Sequence, residues 1–160
     1  MLSKQTNPTL AKTEAAITAK IPTKLKSAFS KAVTVGLKMM YSDQGSQVMK
    51  DQLNKSPDYA RNVAEGAAKL VGEMFKQSKN TMPIKIAMPA AVMLMCEGLD
   101  FLEKAGKVKV TPELVATATK YLSEFVLQLF GVSQDKLHQL VQQRQQTNKP
   151  QGIIGSAKGA

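Results

Sequence analysis

Acidic residues, aromatic rings, cysteine and histidine are all scarce in this chain of 160 residues. A single Cys and a single His exclude a disulfide framework, a Cys/His zinc site, and any catalytic triad that needs more imidazole than His138 supplies. Trp is absent and aromatics reach only 5%, a thin vocabulary for a β-sandwich. Long hydrophobic runs are also missing. The longest spans residues 86–96, is interrupted by Pro89 and stops at Glu97. That is about half of what a membrane span requires, so no span is expected and the run reads as a buried core helix. Residues 1–20 hold no apolar centre between their lysines, so they are not expected to be a secretory signal. These features describe a soluble protein made in a reducing cytoplasm, with most enzyme chemistries removed by composition.

What is present in excess is lysine. The chain carries 22 Lys+Arg against 12 Asp+Glu, a net charge of +10, and only Arg61 and Arg144 are arginines. The excess is concentrated: residues 1–40 hold seven lysines against Glu14 alone, and the remainder is close to neutral. Lysine is a hydrated point charge, whereas base edges and bidentate phosphate contacts favour the planar fork of arginine. Sequence-specific DNA reading is therefore disfavoured. Loose phosphate contact and docking on an acidic protein both stay open, with solvation of a helical surface as the plainest explanation. The candidate contact residues are Lys12, Lys20, Lys24, Lys26, Lys31 and Lys38.

Hydrophobic residues make up 43% of the chain, and its length suits one domain burying roughly 70% of its unfolded surface. Residues 1–20 have only Leu2, Leu10 and Ile17 as large apolar anchors and predict a flexible basic arm, helical at most around residues 10–19. From Lys24, apolar residues recur at Leu25, Phe29, Val33, Leu37 and Met40, the spacing of a helix face. Ser42-Asp43 caps a short helix carrying Val48, Met49 and Leu53, and Ser56-Pro57-Asp58 signals another start. Gly66 and Gly72 on that helix read as close approaches of a neighbour, not as a phosphate cradle. Pro89 is expected to open the central helix, which Gly106 ends. Lys107 to Val110 alternate, too briefly for a strand. Thr111-Pro112-Glu113 opens a long helix reaching Gly131, and a last helix follows from Ser133. The expected fold class is all-α: a compact bundle of five or six helices with flexible N- and C-terminal tails. Its expected limits are an arm over residues 1–20, a helical domain over 21–147 and a tail over 148–160.

Glu97, Asp100 and Glu103 lie three apart on the central helix. A carboxylate metal site of the di-iron type needs Glu-x-x-His pairs from two helices, which one histidine cannot supply, so Glu97 and Glu103 read as surface charges completing an amphipathic face. Cys96 reads as a small hydrophobe, His138 as a solvated histidine, and Met39, Met40, Met93 and Met95 as core filler, with an adaptable binding surface as the open alternative. No cofactor and no catalytic residue is expected.

Three stretches are distinctive together: Ile21-Pro22-Thr23-Lys24-Leu25 through Val35-Gly36-Leu37-Lys38-Met39-Met40-Tyr41; Met82-Pro83 through Met88-Pro89-Ala90; and Phe125-Val126-Leu127-Gln128-Leu129-Phe130-Gly131-Val132. In that order, over residues 21–132, the chain resembles small all-helical virion structural proteins of tailed, particularly short-tailed, bacteriophages. The resemblance implies a non-enzymatic, multi-copy particle component, internal near the portal or at the head-tail junction. Its implied partners are other virion proteins, copies of itself and, non-specifically, packaged DNA. It transfers no contact residues. The competing expectation is a free basic module that meets nucleic acid or an acidic host protein through residues 1–40.

Overall fold

The computed structural model describes residues 7–131, and among them it contains six α-helices and no strand. The expected last helix, the tail over 148–160, His138 and residues 1–6 lie outside the described residues.

Helix α1 is Pro8–Lys20. Asn7 caps it, its side-chain oxygen accepting the amide hydrogens of Thr9 and Leu10, and Pro8 occupies the first helical position where no amide is missed. Over these residues the expected arm is instead a docked helix. Leu10 is 0% exposed and Ile21 is buried just past the C-terminus, so α1 is pinned at both ends against α5. The Asn7 amide also donates to both carboxylate oxygens of Glu103, at 3.1 and 3.0 Å. That tie joins residues 96 apart in the chain, which explains why local apolar content understated the helix.

A 3₁₀ turn, Thr23–Leu25, leads into α2, Lys26–Met40, which buries Phe29, Val33, Gly36, Leu37 and Met40 along one face. The Ser42 hydroxyl accepts the Gly45 amide and starts α3, Asp43–Leu53. Helix α4, Tyr59–Gln77, is capped by Asp58, whose carboxylate accepts the Arg61 amide. The expected cap, Ser56, has another job: its hydroxyl donates to the Asn62 side-chain oxygen at 2.8 Å. Asn62 is itself buried and donates to the Leu53 and Ser56 carbonyls, joining α3 to α4.

Helix α5, Ile84–Lys104, begins earlier than its proline suggested. Pro83 is the extended residue before the helix and Pro89 lies inside it. The bond Pro89 cannot make is to the carbonyl of Lys85, an exposed residue in the first turns, where water can take its place. From Ala90 to Asp100 every residue is buried, because α1, α2, α4 and α6 all touch α5. Gly106 ends the helix as expected. It adopts φ +75°, the Gly106 amide reaches the Glu103 carbonyl, and the Lys107 amide reaches that of Leu102, a Schellman closure. Helix α6, Pro112–Leu129, starts at Thr111, whose hydroxyl accepts the Leu114 amide. It lies chiefly along α4. Gly66 faces Met49 and Gln52 of α3, and Gly72 faces Leu129, both at close range, in line with the close approaches read from the sequence.

Candidate functional site

The six candidate lysines, Lys12, Lys20, Lys24, Lys26, Lys31 and Lys38, are all exposed. Lys12 and Lys20 belong to α1, Lys24 to the 3₁₀ turn, and Lys26, Lys31 and Lys38 to α2. At 3.6 residues per turn, Lys31 and Lys38 fall on one line of α2, roughly opposite Phe29, Val33 and Met40. The short connection between α1 and α2 collects Lys20, Lys24 and Lys26 at one corner. Lys12 is not part of that group. It stands two turns earlier on α1, at the edge of a shallow groove of about 550 Å³ against Pro112 and Val115 of α6. Within residues 7–40 the one acid is Glu14, which is half-buried and close enough to Cys96 to act on its thiol.

A second surface has the opposite character. Between the end of α2, α3 and α4 runs a groove of about 550 Å³ floored by Met39, Val48, Met49 and Leu70, with Lys69 and Glu73 at its edge. Val48 is 60% exposed there. The methionines thus divide: Met93 and Met95 are fully buried in α5, while Met39 is half-buried in this groove.

The acids of α5 depart from expectation. Glu97 is not a surface charge but 2% exposed, and Asp100, one turn on, is 4% exposed. The Tyr41 hydroxyl donates to Glu97 Oε2 at 2.7 Å. Asp100 pairs with Lys104, one turn on, through Oδ2 at 2.7 Å, while its Oδ1 is buried without a hydrogen bond. The hydrogen bond from Lys104, reinforced by the charge of Asp100, raises the lysine above its ordinary value. Glu103 is half-buried and accepts from Asn7 and from the Val110 amide, at 2.8 Å for the latter. Glu97 therefore holds the end of α2 to the central helix and Glu103 holds the start of α1 and the α5–α6 connection to it, while Asp100 is paired within α5 itself. Among the described residues no group of three or more His, Cys, Asp or Glu side chains is placed to hold a metal ion. Cys96 is buried, and burial, with Glu14 and Glu97 adding to it, pushes its thiol up to about 12. A thiol so far above neutrality is a core residue, not a nucleophile. Among the described residues no helix is long and apolar enough to cross a membrane.

Sequence reading located the lysines but missed the groove and the burial of the acids. A signal for the second existed: three carboxylates on a helix whose other residues leave no polar face to spare. No protein-family model, curated protein or solved structure matches this chain.

Proposed function

We propose that the protein is a non-enzymatic structural component of a bacteriophage virion, present in several copies. It is made in the host cytoplasm and packs through its helix faces and terminal segments against other virion proteins and copies of itself. The observation that carries the reading is the use made of the reactive groups. Glu97, Glu103 and Tyr41 are committed to joining helices, Asp100 to a pair within α5, and Cys96 to filling the core. What faces solvent over α1 and α2 is a lysine-rich, nearly acid-free exterior on a packed helical body, which suits assembly against other macromolecules.

The three stretches that resemble phage virion proteins fit the same picture. Their described residues form the α1–α2 corner with α2, the opening of α5, and the close of α6. The test is co-migration. Full-length chain tagged in the phage genome should travel with intact particles through a density gradient and stay with them after a high-salt wash. A chain left wholly among the soluble proteins of the lysate sinks the reading.

A further inference from the structure

Two kinds of partner fit a lysine-rich surface, a polyphosphate backbone and an acidic protein, and the side chains around the lysines separate them. The outer side of α2 carries Ser27, Ser30 and Thr34 between Lys24, Lys31 and Lys38. These are short hydroxyl residues. The exposed large apolar residues among those described are Tyr41, Val48, Ile84 and Leu129; only Tyr41 borders this side of α2, at its C-terminal end past Lys38, and its hydroxyl is already bonded to Glu97. Stable protein interfaces draw their energy from clusters of desolvated aromatic, aliphatic or arginine anchors, and between Lys20 and Lys38 this edge offers none. A phosphate backbone needs no such anchor, because each neutralised phosphate releases counterions.

We infer that the corner and outer edge of α2 form a binding surface for duplex nucleic acid, engaged at the phosphate backbone by Lys20, Lys24, Lys26, Lys31 and Lys38. Lys31 and Lys38 are separated by two helical turns, about 10.5 Å along the axis. That is far enough to meet different phosphates and close enough to act on one segment of duplex. The short Ser and Thr side chains let the backbone approach, and their hydroxyls can donate to phosphate oxygens. Lysine in place of arginine makes the contact positional, without base reading. Glu14 is half-buried toward Cys96, so it opposes the field of this edge weakly. The inference stands on surface chemistry and does not require that the chain be a virion protein.

The test uses the full-length chain and a short, mixed-sequence, fluorescein-labelled DNA duplex, followed by anisotropy across about 50 to 200 mM KCl. One variant combines Lys24→Gln, Lys31→Gln and Lys38→Gln. A control of equal net charge combines Lys76→Gln, Lys107→Gln and Lys120→Gln, three exposed lysines elsewhere. Lys and Gln have similar helix propensities, and matching circular dichroism confirms that both variants fold. The edge variant should lose about 2.7 from the slope of log affinity against log salt, and on the order of 100-fold in affinity at moderate salt. The control should keep the wild-type slope, and a scrambled duplex should bind equally well. Equal losses in the two variants, an unchanged slope in the edge variant, or binding to polyglutamate in preference to the duplex would each overturn the inference.

Discussion

Gly98 sits in the middle of α5 where it crosses α4, and a methyl group there has nowhere to go. A Cβ built on Gly98 runs into Cγ2 of Val63, with Leu53 Cδ2 next at 3.7 Å. Val63 is fully buried and β-branched, so one side-chain rotamer dominates in a helix and it cannot swing aside. Gly98→Ala should therefore force the two helices apart, at an overpacking cost of about 1–3 kcal/mol. Roughly 1 kcal/mol of that is offset by the better helix propensity of alanine, leaving a net destabilisation of about 0–2 kcal/mol. Val63→Ala alone removes two buried methyl groups and should cost about 2 kcal/mol. In the double variant the new methyl enters the space vacated by the valine. The clash disappears and the propensity gain remains, so the pair should cost only about 1 kcal/mol, a favourable coupling of roughly 2 kcal/mol. Urea unfolding of the four proteins, followed by far-ultraviolet circular dichroism, measures all of these terms. Strict additivity, or a Gly98→Ala variant more stable than the parent, would refute the α4–α5 contact as described.

Three further outcomes follow from other contacts. Asn7→Ala removes both the α1 cap and the tie to Glu103, at about 1–2 kcal/mol; native-state hydrogen exchange should speed up in α1 while α5 stays protected, and uniform exchange would contradict the tie. The Cys96 thiol, pushed up to about 12 by burial, should resist Ellman's reagent in the folded protein and react fully in denaturant; ready reaction without denaturant would show that it is not buried. Hydrogen bonds first from Lys55 and then from Gln52 hold Glu65 below the usual carboxylate value, so its contribution to stability is present above the ordinary glutamate range and is lost as pH falls through the lowered value. Lys55→Ala should therefore cost about 0.2–1 kcal/mol near neutrality and progressively less in acid, read from urea midpoints at the two pH values. A cost that persists in acid would point to packing instead of charge.

Much of this architecture is local and so was legible in the sequence. Thr111-Pro112-Glu113 and Gly106 carry their cap chemistry in a few adjacent residues, and the α2 stripe from Phe29 to Met40 repeats at helical spacing. What escaped depends on contacts between distant residues. The docking of α1 rests on Asn7 meeting Glu103 and on a buried site for Leu10, neither visible in the composition of residues 1–20. Pro89 resembles a helix opener, yet Pro83 already provides the extended residue before the helix, and Ile86 and Ala87 are buried core. Glu97 and Asp100 look like one polar face, but α5 is surrounded, and the Tyr41 hydroxyl and the Lys104 ammonium take the place of water. For the candidate site, spacing alone gave the outward direction of Lys31 and Lys38. It could not group the lysines, because α1 and α2 both rest on α5 and the turn between them decides which charges meet.

The central claim is that this helical block works as a building part of a particle. Absolute quantification by mass spectrometry, using isotope-labelled peptides of the chain added to gradient-purified virions, tests it most directly. The account predicts a fixed number of copies per particle, greater than one and reproducible between preparations. Absence of the chain from particles while it is abundant in the infected cell would contradict it.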